Sequence, residues 1–126
     1  MLVLDSGAVT RLAERSTRAA ALIAAFRAEG LWPPVVPSVV LVECLTGMGS
    51  RDAAEHRFLH TCDVTETIPV PVARRAAWLR ARARRGSAVD ALLVAAAEPG
   101  GTVLTGDPED LRSLAGNASN VAVEPI

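Results

Sequence analysis

Four carboxylic acids occupy positions where apolar neighbours or a strand end leave them without an obvious partner. Asp5 and Asp107 each follow a short apolar run, whereas Glu43 and Asp90 each lie in the first turns of a predicted helix between apolar residues. Carboxylates gathered in one apolar place repel one another, and burying even one of them without a partner is costly. A hard divalent cation such as Mg²⁺ or Mn²⁺ prefers oxygen ligands and would remove that conflict. The four acids therefore predict a metal site if the fold brings them together.

Each acid also has a purely structural interpretation. Asp5 and Asp107 stand where they could cap a helix, and an acid in a first helical turn, such as Asp110, complements the helix dipole. Glu43 fits this explanation least, because it falls on the fifth residue after its predicted cap, Ser38. A cluster paired with arginine is a further alternative, since the chain contains 13 basic residues and all of them are Arg.

The elements that would have to position these acids alternate between strand and helix along the whole chain. Short apolar runs predict strands, and helical spacing with caps and breakers predicts helices. We expect strands at 2–4, 35–36, 65–70, 102–105 and 121–123, and helices at 7–15, 17–29, 38–45, 51–62, 72–85, 88–98 and 108–115. This alternation predicts a single domain over residues 1–126, an α/β fold built as a three-layer α/β/α sandwich with a mostly parallel central sheet. Sites in such sheets form beyond the carboxyl ends of the strands, which is where Asp5 and Asp107 lie.

Charge is spread unevenly along the chain. The net charge is -1, but residues 74–85 hold six Arg and no acid, so that stretch carries +6 and the remainder -7. The field of the whole protein does not attract an anion, and an anionic partner would have to be met locally.

Neither composition nor cysteine usage indicates a membrane or secreted protein. There is no long apolar stretch, and the first residues lack the basic region of a signal peptide, so we expect no membrane segment and a cytoplasmic location. Cys44 and Cys62 have no metal-type spacing, which predicts two buried thiols in a reducing compartment.

Four stretches of the sequence resemble one known family when they are taken together. They are VLDSGA at 3–8, PSVVLVE at 37–43, SAVDALLVA at 87–95 and LTGDPEDL at 104–111. In order and spacing the chain resembles the PIN-domain family over essentially its full length, and within that family the VapC-type toxins of bacterial toxin–antitoxin pairs.

The resemblance implies a fold and a chemistry. It implies a PIN-like α/β/α sandwich and a metal-dependent endoribonuclease that cleaves RNA, with tRNA or rRNA as the expected target, by metal-activated water. The metal would be Mg²⁺ or Mn²⁺, and the implied catalytic and metal-binding residues are Asp5, Glu43, Asp90 and Asp107, with Asp110 as a weaker candidate ligand.

The same resemblance implies supporting residues and one departure. The hydroxyl residues Ser6 and Thr105 correspond to polar supports of the family's site. The residue two positions after the first Asp is often Ser, Thr or Asn in the family, whereas here it is Gly7. A supporting hydrogen bond is therefore expected to be missing at that position.

An RNA substrate needs basic contacts to its phosphates, and the predicted Arg-rich helix is the best candidate. Arg75, Arg82 and Arg85 can share a face with Trp78, and Arg stems can cover part of that ring. The alternative is a solvated helix face with Trp78 and Leu79 in the core.

The resemblance also implies partners. VapC-type toxins usually form homodimers and are neutralised by a cognate VapB-like antitoxin. Leu12, Leu22, Ile23 and Phe26 on the first two predicted helices supply more apolar surface than one small core needs. We expect that surface to bury against the antitoxin or a second copy of the chain.

Three other functions fit parts of the sequence. A housekeeping PIN-domain nuclease in RNA processing would share the site, and a degenerate, non-catalytic PIN module would share the fold. A signalling receiver domain would need an adjacent acid pair after the first strand and a Lys after the last, and the chain has no Lys.

Overall fold

Five short strands and seven α-helices alternate along the chain in the computed structural model, which describes residues 1–126. The strands are β1 (Leu2–Leu4), β2 (Val35–Pro37), β3 (Asp63–Thr65), β4 (Thr102–Thr105) and β5 (Ala122–Pro125). The helices are α1 (Ser6–Ala13), α2 (Thr17–Ala28), α3 (Leu41–Cys44), α4 (Ala53–Leu59), α5 (Val70–Ala83), α6 (Ala88–Ala97) and α7 (Pro108–Ala115), with a 3₁₀ turn at Ser38–Val40.

The strands form one sheet in the order β3-β2-β1-β4-β5, and every neighbouring pair is parallel. The central strands are in register, with Val3 opposite Val35 on one side and Val103 on the other. The predicted fold class is confirmed, and the sheet is parallel throughout. All five carboxyl ends therefore lie along one edge, which we call the carboxyl edge.

Helices pack in two groups around this sheet. α1 contacts α2, α3 and α4, whereas α5 contacts α6 and α7. The buried core joins β1 and most of β4 to apolar helix faces, and Leu, Val and Ala supply most of it. β1 is a continuous apolar run without alternation, as expected for a parallel strand covered on both faces, whereas β4 begins and ends with Thr.

Two predicted elements differ from the structure. The third strand ends at Thr65 instead of spanning 65–70, and α5 already begins at Val70. Proline explains the difference, since Pro69 precedes the helix and Pro71 lies in its first turn, where no backbone N–H is required. None of the helices combines the length and apolar character needed to cross a membrane.

The helix that carries Glu43 also starts differently from the prediction. Ser38 does not cap it, because the segment opens as a 3₁₀ turn without a side-chain cap, and the Ser38 hydroxyl donates to the carbonyl of Glu66 at 3.4 Å. The α-helical part is the single turn Leu41–Cys44, shorter than the expected 38–45.

Candidate active site

Asp5 and Asp107 follow the two central strands, β1 and β4, and each stands at the N-cap of the next helix. β1 and β4 are hydrogen-bonded neighbours with Leu4 opposite Leu104, so both acids lie just beyond the carboxyl ends of adjacent strands, Asp5 directly after β1 and Asp107 one residue further after β4. The sequence prediction that these acids lie at strand ends is confirmed. The topology thus places one pair of carboxylates at the centre of the edge.

Thr105 joins these two acids. Its hydroxyl donates to Oδ2 of Asp5 and accepts a hydrogen bond from the backbone N–H of Asp107 at 2.8 Å. Thr105 is fully buried, with 0% of its surface exposed, so water cannot replace these bonds. The Thr105 hydroxyl therefore links Asp5 to the segment after β4, and its supporting role at a metal site stays a prediction.

Asp5 is held by backbone donors as well. Its Oδ1 accepts from the N–H of Ala8 at 2.7 Å, which caps α1, and its Oδ2 accepts from the N–H of Gly106 at 3.2 Å. The capping interpretation of Asp5 is thus correct alongside its place at the edge. Ser6, the other expected support, makes no side-chain hydrogen bond, and its supporting role stays a prediction.

Gly7 and Gly106 let the loop after β4 approach the first turn of α1. A Cβ placed on Gly7 would lie 3.0 Å from Cα of Gly106 and 3.1 Å from its backbone nitrogen. This close backbone contact brings the Gly106 N–H to Asp5. Sequence reasoning treated Gly7 only as a missing hydrogen-bonding side chain and did not identify Gly106. The sequence signal for this close contact was a glycine shortly after each of the strands β1 and β4, Gly7 and Gly106.

Asp90 opens α6 and forms a reciprocal capping box with Ser87. Its Oδ2 accepts from the Ser87 N–H at 3.0 Å, and its own N–H donates to the Ser87 hydroxyl at 3.0 Å. Oδ1 of Asp90 makes no hydrogen bond to the protein. α6 precedes the parallel strand β4, so its N-terminus lies toward the carboxyl edge. One oxygen therefore has a structural task and the other is free to bind a ligand.

Glu43 lies on α3, which packs against α1, and its side chain is exposed. The expectation that it sits inside a buried apolar segment is wrong, because the neighbouring Val42 is 84% exposed. The short turn buries little, and Leu41 and Cys44 pack only partly against the core. Neither Glu43 nor Asp107 makes a side-chain hydrogen bond or ion pair, so both carboxylates are available to a ligand.

Asp110 is engaged by arginine. Nε of Arg85 donates to Asp110 at 3.0 Å, and Nη2 of the same side chain donates to Glu109 at 2.8 Å. The pKa of Arg85 is raised above its usual value, first by its hydrogen bond with Glu109 and then by the two negative charges. The arginine-paired alternative is therefore realised at Asp110, outside the four-acid set.

The acids do not form the closed cage that the sequence predicted. No group of three or more His, Cys, Asp or Glu side chains lies close enough together to hold a metal ion. The donor set nevertheless suits a hard divalent cation, because every candidate offers carboxylate oxygen. Three of these acids have at least one oxygen without a protein partner: Glu43, Asp90 and Asp107.

The Arg-rich segment is largely α5. Arg75 makes two hydrogen bonds to Glu98, from Nε at 2.9 Å and from Nη2 at 2.8 Å, and the pKa of Glu98 is lowered chiefly by them. Arg82 makes no ion pair. Leu79 is fully buried as expected, but Trp78 is 44% exposed and does not belong to the core.

Comparisons with known proteins give a family and a fold. The family model described as "PIN domain" matches residues 2–117. The crystal structure of FitAcB from Neisseria gonorrhoeae superposes with a TM-score of 0.65 at 20% sequence identity, covering 98% of this chain and 96% of that one. No curated protein sequence matches the chain. PIN domains are generally nucleases and typically use divalent metal ions. From the family match over most of its length, the chain belongs to the PIN domain family.

Proposed function

We propose that the chain is a metal-dependent endoribonuclease and the toxin of a type II, VapBC-like toxin–antitoxin module. One observation carries the nuclease assignment: in a PIN domain, Asp5 and Asp107 follow the neighbouring strands β1 and β4, and the Thr105 hydroxyl bonds to the Asp5 carboxylate and to the Asp107 backbone. The resemblance of four sequence stretches to VapC-type toxins supports the toxin role and a cytoplasmic location.

The metal-binding residues in this proposal are Asp5, Glu43, Asp90 and Asp107. Mg²⁺ or Mn²⁺ bound there would supply water activation and neutralisation of phosphate charge. Glu43 and Asp107 are exposed and unpaired, and Asp90 keeps one free oxygen. Asp5 accepts from three protein donors, which leaves about one of the four acceptor positions of a carboxylate for the ion. Asp110 would join only after leaving Arg85.

The residues around the acids orient them and limit their motion. Thr105 and Gly106 fix the carboxylate plane of Asp5, and Ser87 fixes the backbone from which Asp90 projects. Arg85 restrains Asp110 and Glu109 on the first turn of α7, beside Asp107. Pre-positioned carboxylates lower the reorganisation needed when the ion and a phosphate arrive.

An RNA substrate, with tRNA or rRNA as the expected target, would be bound through arginines of and next to α5. Of the three proposed contacts, Arg75 and Arg85 already hold acids in the protein. Arg82 forms no ion pair that would have to break, so it is the strongest of the three candidates for a phosphate contact.

A VapB-like antitoxin would bind to the apolar surface of the helix layer formed by α1, α2 and α4. An open cavity of about 370 Å³ lies between α1, α2 and α4, with Leu12, Ile23, Trp32 and Phe58 among its lining residues. Arg15, Arg27 and Arg57 also line it. Leu12 is buried in the core at 1% exposure, so the expectation that it supplies binding surface is wrong. Leu22, Ile23 and Phe26 remain only partly buried, which supports the expectation that α2 binds the antitoxin or a second copy in a homodimer.

Cleavage of total RNA by the purified chain tests the nuclease assignment. Wild-type protein with Mg²⁺ or Mn²⁺ should cut RNA, EDTA should stop it, and Asp5→Asn should abolish it. Asp63→Asn is the matched control, because Asp63 is an exposed acid at the start of β3, away from the carboxyl edge. Equal cleavage by Asp5→Asn and wild type would remove the assignment.

Mapping RNA ends in cells after induction separates the toxin from a housekeeping nuclease. A toxin should cut few sites, arrest growth, and be neutralised by a small partner encoded beside it. Growth that is unaffected, with processing at the ends of precursor RNAs, would indicate the housekeeping alternative. Absence of any cleavage would indicate the non-catalytic alternative.

A further inference from the structure

One face of α5 and the turn after it carries a continuous stripe of arginine and tryptophan. Arg75, Trp78, Arg82 and Arg85 follow one another at spacings of three, four and three residues, which is the spacing of one helical face. The opposite face is buried, with Leu79 at 0% and Ala76 at 4% exposure. The partly exposed Trp78 therefore belongs to a surface and not to the packing of α5.

Two guanidinium groups lie against the Trp78 ring, and only one of them is also bound to an acidic side chain. The Cζ of Arg75 is 4.5 Å from the ring centroid, and that of Arg82 is 5.2 Å away. Arg75 is fixed by its two hydrogen bonds to Glu98. Arg82 has no hydrogen bond or ion pair that would be lost if it moved. The Arg75 guanidinium is thus held in place on the ring, whereas a ligand could displace the Arg82 guanidinium.

The stripe leads to the candidate active site. Arg85 contacts Glu109 and Asp110 on the first turn of α7, which begins directly after Asp107. Trp78 precedes Arg82 by about 6 Å along the axis of α5, and Arg85 follows in the turn after the helix, which ends at Ala83 with Arg84 in the left-handed conformation. A chain leaving the carboxyl edge in this direction would meet Arg85, Arg82 and Trp78 in turn.

We propose that Trp78 is a stacking platform for an unpaired base of single-stranded RNA. In the bound state the base takes the place of the Arg82 guanidinium on the ring, and Arg82 turns to a neighbouring phosphate. This proposal rests on the proposed ribonuclease function and names the form of its substrate, a single strand with an accessible base next to the scissile region.

Charge favours RNA over a protein partner for this face. Residues 74–85 carry six Arg and no acid. Besides Arg82, the exposed Arg74 and Arg84 have no acid partner, and Arg80 donates only to the carbonyl of Gly86. An aromatic ring among unpaired arginines combines base stacking with backbone attraction, which is how proteins bind single strands without reading a sequence.

Tryptophan fluorescence reports on the platform directly. The chain has two tryptophans, Trp32 and Trp78, so Trp32→Phe leaves Trp78 as the single emitter. Titration with oligoadenylate in EDTA, which prevents cleavage, should quench this emission. A duplex RNA of equal charge should quench it much less, because its bases are not available for stacking.

Binding affinity provides a second measurement that does not depend on the Trp32 substitution. With labelled oligoadenylate, Trp78→Leu should weaken binding by about 5- to 100-fold, and Trp78→Phe should recover part of the loss. Trp78→Leu should leave the salt dependence unchanged. Arg82→Gln should lower the slope of log K against log salt by about 0.7, as expected for one lost phosphate contact. Arg18→Gln, an exposed arginine of α2, is the control for charge alone.

The outcomes separate this proposal from the function on which it rests. If wild type cleaves RNA but Trp78→Leu binds oligoadenylate as tightly as wild type, the platform is wrong and the nuclease stands. If Trp78→Leu changes the oligomeric state in sedimentation and not the RNA affinity, the face is a protein interface and the platform is again wrong. If wild type neither binds nor cleaves RNA, both proposals are wrong.

Discussion

At the scale of single residues, the hydroxyl of Thr105 is the most consequential group at the candidate site. It is buried and serves two partners at once, the carboxylate of Asp5 and the N–H of Asp107. No other side chain in the chain bonds to both the acid after β1 and the segment after β4. We therefore expect both stability and activity to depend on it.

Replacing Thr105 by Val keeps its shape and removes this hydroxyl. An unsatisfied buried group costs about 1–3 kcal/mol, so Thr105→Val should lower the free energy of unfolding by that amount in urea. RNA cleavage should fall further than stability alone explains, because Asp5 loses an orienting donor. Thr105→Ser is the control and should restore both. A fully active, fully stable Thr105→Val would show that Asp5 is held by its backbone donors alone.

The two cysteines are half-buried, not fully buried as the sequence predicted, and should behave as unreactive thiols. Burial is the main reason that the pKa of Cys44 is raised to about 11, and likewise that of Cys62. Near pH 8 almost no thiolate is present, and thiolate is the reactive form. Native protein should react slowly with a thiol-specific disulfide reagent, and protein unfolded in guanidinium should react quickly at both residues. Rapid reaction of the native chain would contradict the burial.

At this scale the sequence indicated which acids to consider, and the structure determined how each one is held. Asp5 and Asp107 were predictable because a strand end followed by a helix cap is a local pattern. Glu43 was placed wrongly in a buried segment, since an apolar run does not reveal that α3 is only one turn long. The Asp110–Arg85 pair joins residues 25 apart, and spacing alone does not predict it.

At the scale of elements, the site depends on how closely α1 approaches the loop between β4 and α7. The contact of Gly7 with Gly106 is between backbones, and neither partner can move aside as a flexible side chain would. Gly7→Ala would ordinarily stabilise a helix by about 0.5–1 kcal/mol. Here the added methyl group has to push the β4–α7 loop away.

We expect Gly7→Ala to destabilise the chain by about 1–3 kcal/mol and to reduce RNA cleavage, because overpacking moves the Gly106 N–H from Asp5. Urea unfolding and cleavage rates measure the two effects. Gly49→Ala is the matched control, since nothing lies within 4 Å of its added Cβ. Stabilisation by Gly7→Ala would mean that the loop yields easily.

A buried carboxylate, Asp52, fixes the turn that follows α3. Asp52 is buried and accepts hydrogen bonds from the N–H of Thr46 at 2.8 Å, from the Thr46 hydroxyl at 2.8 Å and from the N–H of Gly47 at 2.9 Å. These bonds, led by that from the Thr46 backbone, lower the pKa of Asp52 below its ordinary 3.8. The turn therefore prefers the charged form of Asp52.

This preference makes part of the stability pH-dependent. A lowered carboxyl pKa contributes stability above the unfolded value of 3.8, and that contribution is lost as pH falls through the lower folded value. Asp52→Asn should lower the urea midpoint near neutral pH and flatten its decline at acid pH. Asp63→Asn, an exposed acid, should do neither. Parallel acid profiles for wild type and Asp52→Asn would contradict the assignment.

Most element boundaries could be predicted because breakers mark them. β1, β4 and α7 agree closely with expectation, since acids, glycines and Pro108 bound them. β3 was placed wrongly because Thr65 to Val70 has strand-like residues, although Pro69 and Pro71 are a local signal of a helix start. Parallel pairing between distant segments decided where that strand lies.

At the scale of the whole molecule, binding of an ion to residues drawn from separate segments should stabilise the entire fold. Asp5, Glu43, Asp90 and Asp107 come from four different regions of the chain, so the unfolded chain cannot hold an ion with all of them. At a concentration one hundred times the dissociation constant, stabilisation should be about 2.7 kcal/mol.

Thermal unfolding with increasing Mn²⁺ measures this stabilisation without any substrate. The midpoint for wild type and for Asp63→Asn should rise with Mn²⁺, and that for Asp5→Asn should rise much less. NaCl at equal ionic strength controls for general screening. Identical shifts of the unfolding midpoint in Asp5→Asn and wild type would show that the ion binds at other residues.

The hydrogen bond between Thr105 and Asp5 spans 100 residues of sequence, and its consequence concerns the order of synthesis. The central strand β1 is synthesised before its neighbour β4, and β2 and β3 are made between them. Until β4 is made, Asp5 has neither the Thr105 hydroxyl nor the Gly106 N–H to orient it. A nascent chain, or one terminated before β4, would therefore lack the assembled carboxyl edge.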